Sequence, residues 1–202
     1  KNIGDFEFVT QFDREELTEE DLNRYNKDPK FHRAACEISM REHGYAGRLE
    51  YNYEEMTLPS ISLDMKHLTA FNKFIEQDKE FGLFLEDDCR FVDYVTKIED
   101  VIKNAPNDWD VIFLGGAFDH GIITPLKMIN GYILADHPAT NTTSSILYKK
   151  ESVTNILPYM ESFCLSIDWQ LNYAFHEAKL NVYHICPYLC TQGDFRSTAK
   201  DD

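Results

Sequence analysis

Apolar residues recur along this chain with two different spacings, and the two exchange places several times. FEFVTQFD (6–13) alternates apolar and polar positions and predicts a strand leading into an acidic segment. Asp28-Pro29 then opens a predicted helix, FHRAACEISMRE, with Asp28 as N-cap, Pro29 at the first position and Gly44 as its stop. Phe31, Ala34, Ala35 and Ile38 form its stripe. Residues 45–60 are rich in tyrosine and read as irregular up to Pro59. Met65, Leu68, Phe71, Phe74 and Ile75 then recur at helical spacing, predicting a helix from Asp64 to about Lys79.

FGLFL (81–85) is a continuous apolar run and predicts a buried strand. Val92, Val95, Ile98 and Ile102 predict an amphipathic segment ended by Pro106. WDVIFLGG (109–116) is a second continuous strand, closing in two glycines. Asn130-Gly131 within KMINGYIL (127–134) is a strong hairpin signal. TTSSILY (142–148) reads as a strand, followed by a helix through Val153 and Ile156. Asp168 opens a further helix with Trp169, Ala174, Phe175 and Ala178, and NVYHICPYL (181–189) is the last strand before a polar tail.

Helices alternating with continuous apolar strands predict an α/β fold, a mixed and mostly parallel sheet flanked by helices. No repeat or linker divides the 202 residues, so 1–202 reads as one domain. The chain starts at Lys1 with neither Met nor a signal peptide, which suggests a piece excised from a longer one.

Charge narrows the ligands. The formal net charge is −15, which argues against nucleic-acid and anionic-membrane partners. A phosphate-bearing ligand therefore calls for a metal ion between it and the protein. No apolar run reaches the roughly 18 residues of a membrane span. Five cysteines (Cys36, Cys89, Cys164, Cys186, Cys190) form no paired framework and read as thiols in a reducing compartment. CPYLC, with His184 close by, lacks the second pair that a zinc site needs. Asn141-Thr142-Thr143 is a glycosylation sequon within a strand-like stretch.

The chemistry concentrates after the first continuous strand, which runs straight into Glu86, Asp87 and Asp88. Sheets of this class bind ligands at the carboxyl ends of their strands, where Gly115 and Gly116 also fall. Adjacent carboxylates repel one another unless a cation compensates, and Mg²⁺ and Mn²⁺ prefer oxygen ligands. Strand alternation projects Glu86 and Asp88 to one side and Asp87 to the other. An acidic turn in solvent would read the same way. Asp168 is equally a helix cap or a functional carboxylate. His67 lies on a helix within reach of the same edge, and the ATNTTSS run offers hydroxyls. P-loop, GxGxxG, GxSxG and HExxH patterns are all missing.

Taken in order, SLDMKHLTAF, FGLFLEDDCRF, WDVIFLGG, TNTTSSILYKKES, LSIDWQL and VYHICPYLCTQGDFRS resemble glycosyltransferase family 25, the lipopolysaccharide-type and collagen-modifying sugar transferases. The likeness runs over most of residues 6–197, although the family's usual opening strand has no counterpart and only His67 remains of its Ser-His pair. The resemblance implies a GT-A type, Rossmann-like fold and sugar transfer from a nucleotide sugar, typically a UDP-sugar, with inversion and with Mn²⁺ or Mg²⁺. It places Glu86 and Asp88 on metal and diphosphate, with Asp87, His67, Gly115 and Gly116 about the donor. Asp168 becomes the base for an acceptor hydroxyl of a glycan, a lipid-linked sugar or a protein. A third metal ligand would come from His184, Gln192 or Asp194. Two other readings stand beside it: a non-catalytic binding domain using the tyrosine-rich segment, and a metal-dependent nucleotidyl- or phosphotransferase.

Overall fold

The computed structural model describes residues 6–24, 56–92, 96–115 and 124–193. The helix expected at 28–44, most of the tyrosine-rich segment, Val95, Gly116 and Asp194 lie outside these residues.

Helix α1 (Glu19–Leu22) is one turn closed by a capping box between Thr18 and Asp21. Helix α2 spans Leu58–Glu76, starting earlier than the periodicity suggested. Its start is set by Thr57, whose hydroxyl accepts from the Ser60 amide at 3.4 Å. Pro59 sits in the first turn, where a missing N–H leaves nothing unsatisfied, so it belongs to the helix rather than ending a loop. Strand β1 (Phe81–Leu85), β2 (Cys89–Phe91) and helix α3 (Ile98–Asn104) follow. Next come β3 (Val111–Phe113) and the hairpin of β4 (Pro125–Ile129) and β5 (Tyr132–Ala135). Asn130 (φ 51°) and Gly131 (φ 85°) are both left-handed, as the turn of such a hairpin requires. Strand β6 (Ser145–Lys149), helices α4 (Lys150–Met160) and α5 (Ile167–Glu177), and strands β7 (Val182–Ile185) and β8 (Cys190–Gln192) complete the order.

Six strands form one mixed sheet in the order β1-β6-β3-β7-β5-β4, and β2 pairs with β8 separately. The expectation of a mostly parallel sheet is corrected, since β3–β7 is the one parallel pairing of the six-stranded sheet among the described residues. Strand β6 lies between β1 and β3, antiparallel to both, and the hairpin adds two more antiparallel neighbours. Continuous apolar strands report burial on two faces, which this sheet has without being parallel. Helices α2, α4 and α5 cover one face through Leu68, Phe71, Phe74, Val153, Ile156 and Phe175, among others. The other face packs Ile112, Leu147 and Tyr183 against Val101, Trp109 and Leu189. Gly82 is needed because a Cβ there would come within 2.9 Å of the Phe74 ring.

Two further expectations change. Residues 6–13 form no strand; they lie along α2, tied by Lys73–Glu7 at 2.6 Å, Lys66–Asp13 at 2.5 Å and Ser62 Oγ donating to the Phe12 carbonyl at 2.5 Å. The alternation of that segment finds no described strand to pair with, and Phe6 and Phe8 stay exposed. The last predicted strand breaks after Ile185 at Cys186-Pro187, because proline has no amide to donate to a ladder, and pairing resumes at Cys190.

Topology fixes where polar groups collect. Strands β1, β3 and β7 run in one direction, so their carboxyl ends share an edge with the start of β6. Helices α2 and α5 each precede a strand that runs toward this edge. Their amino-terminal turns therefore lie beside it.

Candidate functional site

At that edge β1 ends and the chain turns, the Cys89 amide donating to the Glu86 carbonyl at 3.1 Å. Strand alternation therefore stops at Glu86, and the turn, not the pleat, places Asp88. The Glu86 amide donates to the Ser144 carbonyl at 3.0 Å, and its carboxylate Oε1 accepts from the Thr143 hydroxyl. Glu86 is half-buried, and its carboxyl is held above the ordinary range by burial first, then by the charges of Asp88, Asp168 and Asp87. The Thr143 bond opposes that rise. Asp88 is half-buried, with Oδ1 enclosed and without a hydrogen-bond partner among the described residues, whereas Asp87 is exposed. Gly193 ties the turn to β8 by donating to the Asp88 carbonyl at 2.8 Å.

Asp168 arrives from α5. Ser166 is the N-cap residue, so Asp168 lies inside the first turn and is not the cap. Its Oδ1 accepts from Ser166 Oγ at 2.8 Å and from the Trp169 amide at 3.0 Å. Burial raises its carboxyl against the lowering effect of those two bonds. Its charge is felt by Glu86, which brings the two sequence-distant carboxylates into one site.

Gly115 pairs with Cys190 as a parallel bridge. A Cβ at Gly115 would stand 2.8 Å from the hydroxyl oxygens of both Ser144 and Ser145, so only glycine leaves this hydroxyl-lined floor undisturbed. The sequon residue Thr143 faces Glu86 within this site and is buried.

The candidates for a third metal ligand fare unevenly. His184 belongs to the core: it stacks on Phe113 at 4.7 Å, and its Nε2 is 2.7 Å from the Ala139 carbonyl. Burial holds its imidazole down at about 4. Gln192 is exposed and pairs with Cys89 across β2–β8. Among the described residues no three His, Cys, Asp or Glu side chains converge to hold a metal ion by themselves. Glu86 and the orphaned Asp88 oxygen nonetheless suit Mg²⁺ or Mn²⁺, which is commonly bound by one or two carboxylates with water and phosphate oxygens completing the shell.

One site residue escaped the sequence reading. Asp64 is 1% exposed on α2, and among the described residues neither carboxylate oxygen has a hydrogen-bond partner. Burial raises its carboxyl well above the usual range, and the Asp168 charge adds to that. The signal was present, since Ile61, Asp64, Met65, Leu68 and Phe71 share one helical stripe and Asp64 is its charged member. His67, one turn on, is buried with Nδ1 unpartnered among the described residues, and burial lowers it to about 4.

No helix of the described residues is long and apolar enough to cross a membrane. No protein-family model and no curated protein matches the chain.

Proposed function

We propose that this chain is the catalytic domain of a metal-dependent glycosyltransferase of the GT-A type, moving a sugar from a UDP-sugar to an acceptor hydroxyl with inversion. The observation that carries the reading is that Glu86, at the sheet edge beside the Gly115 floor, lies within reach of the charges of both Asp88 and Asp168. Strands β1, β3 and β7, all running toward that edge, support the fold assignment.

Each group has a part in a displacement at the anomeric carbon. Asp168, fixed through Oδ1, takes the proton of the acceptor hydroxyl as its oxygen bonds to that carbon. The bond to the diphosphate breaks on the opposite side, and the diphosphate leaves with the electron pair. Burial makes Asp168 a stronger base than a carboxylate in water. Glu86 and Asp88 are the side chains that would hold Mn²⁺ or Mg²⁺, which when bound neutralises charge growing on the leaving group. Thr143 orients Glu86, and Gly115 keeps the floor open for the donor.

The test is calorimetric titration with a panel of UDP-sugars, with and without Mn²⁺, alongside an Asp88→Ala variant. Mn²⁺-dependent binding of one donor, lost in the variant, is the expected result. Absence of binding by every donor in both conditions would sink the transferase reading.

A further inference from the structure

His137 and His176 come from distant parts of the chain and meet outside the carboxylate site. Their ring centroids are 4.8 Å apart and the two planes are tilted by 57°. His176 sits in the last turn of α5 with its side chain 49% exposed, and His137 is half-buried in the connection between β5 and β6. Neither residue is enclosed, so an ion from solvent reaches the pair without crossing the core. His176 lies eight residues after Asp168 on α5, about 12 Å along the helix, which separates the pair from Glu86 and its partners.

The connection is clamped to the helix. Asn172 is fully buried, and its Oδ1 accepts from the Ala139 and Thr140 amides at 2.7 and 3.0 Å. Its Nδ2 donates to the Thr140 carbonyl at 2.7 Å. Asn172 and His176 are four residues apart and share one face of α5, so the same clamp sets His137 over His176. The His137 amide donates to Asp136 Oδ1 at 2.8 Å, which fixes the backbone on the other side. His176 Nδ1 stands 3.3 Å from Glu177 Oε1. That carboxylate accepts from Nδ1–H and leaves Nε2 as the nitrogen with a lone pair, the arrangement usual for a metal-bound imidazole.

Packing alone explains a face-to-face contact such as His184 on Phe113, at 12°. A tilted pair of polar rings in reach of solvent gains little by packing and presents ring edges as well as faces. Imidazole nitrogen binds Zn²⁺ at about 2.0–2.1 Å, so two rings on one tetrahedral ion stand roughly 5 Å apart by centroid. The observed spacing matches.

We propose that His137 and His176 form a two-imidazole site for a borderline transition-metal ion, Zn²⁺ above all, with water completing its shell. Imidazole selects this class of ion, whereas Mn²⁺ and Mg²⁺ prefer the carboxylates beyond the other end of α5. The carboxyl end of a helix favours a cation, and so does the formal net charge of −15. Bound Zn²⁺ staples residues 136–140 to α5, a second tie beside Asn172.

The experiment is calorimetric titration of the whole chain with Zn²⁺, with His137→Gln, His176→Gln and Asp88→Ala alongside. Zn²⁺ is expected to bind more tightly than it binds free imidazole. Each histidine variant should lose roughly ten-fold or more in affinity, since even an outer-shell partner is worth about that much. Asp88→Ala should leave Zn²⁺ affinity unchanged, and a fall there overturns a separate site. Affinity that survives both histidine substitutions places the ion on other side chains and overturns the proposal. Affinity no better than that of free imidazole does the same. Should a histidine variant fail to fold, ring-nitrogen NMR of the unaltered protein decides the matter. Zn²⁺ is expected to shift the signals of His137 and His176 together, and failure of either to shift refutes the pair.

Discussion

The two ends of α2 were built for different purposes. Its carboxyl-terminal half buries Phe71 and Phe74 against Phe84 and Tyr148, ring centroids 5.2–5.7 Å apart, in edge-on and tilted arrangements. Its amino-terminal half buries Asp64 and His67, with polar atoms that no described residue satisfies. One helix thus holds ordinary core at one end and unfavourable burial at the other. Where a chain tolerates the second kind, the reason is sought in chemistry rather than stability.

The sharpest way to break that contrast is at the apolar end. Phe71→Ala should lower the unfolding free energy by about 3–5 kcal/mol, read by denaturant titration. A loss below about 1 kcal/mol would mean that the stable end of α2 lies elsewhere.

At the polar end the sign reverses and depends on pH. A raised folded-state carboxyl keeps its proton after the unfolded chain has lost its own. The stability it contributes is therefore complete below about pH 3.9 and drains away as pH rises through the folded value. Asp64→Asn has no such slope. Its stability relative to the wild type should climb by up to about 1.4 kcal/mol per pH unit across that window. Glu86, His67 and His184 remain in both proteins, so the difference reports Asp64 together with its coupling to Asp168. Parallel pH profiles would show that Asp64 is not raised.

Thr143→Val tests the site without touching a carboxylate. Removing the hydroxyl that orients Glu86 should weaken Mn²⁺ binding roughly ten-fold by calorimetry. Lys73→Ala marks the small end of the scale. Its pair with Glu7 is exposed at the surface, and the loss should stay within about 0.5 kcal/mol by thermal unfolding.

What could be read from the sequence follows the same division. Local rules served well where local forces decide: the Asn130-Gly131 hairpin, the strand at 81–85 and the apolar stripe from Met65 to Phe74 stand as the residues suggested. Strand direction was not legible, because an apolar run records burial on two faces and says nothing about its neighbours. The wedging of β6 between β1 and β3 is a long-range choice with no local mark. The carboxylate triplet announced itself by following a buried strand. Asp64 was passed over because the predicted helix begins at it, and only its register with Ile61 and Leu68, in a helix that starts at Leu58, betrays it.

The place of β6 has a consequence in time. Residues 81–85 cannot find their neighbour in the sheet until 145–149 exist, and β3 waits for the same strand. On a ribosome, the first continuous strand and its three acids emerge long before the strand whose approach positions Thr143 against Glu86. Synthesis at about 5–20 residues per second separates the two strands by seconds, long compared with helix and hairpin formation. During synthesis β1 is a bare apolar edge with no ladder on the β6 side. The acids at its end give that nascent chain a solubilising charge during the interval when it is most prone to aggregate.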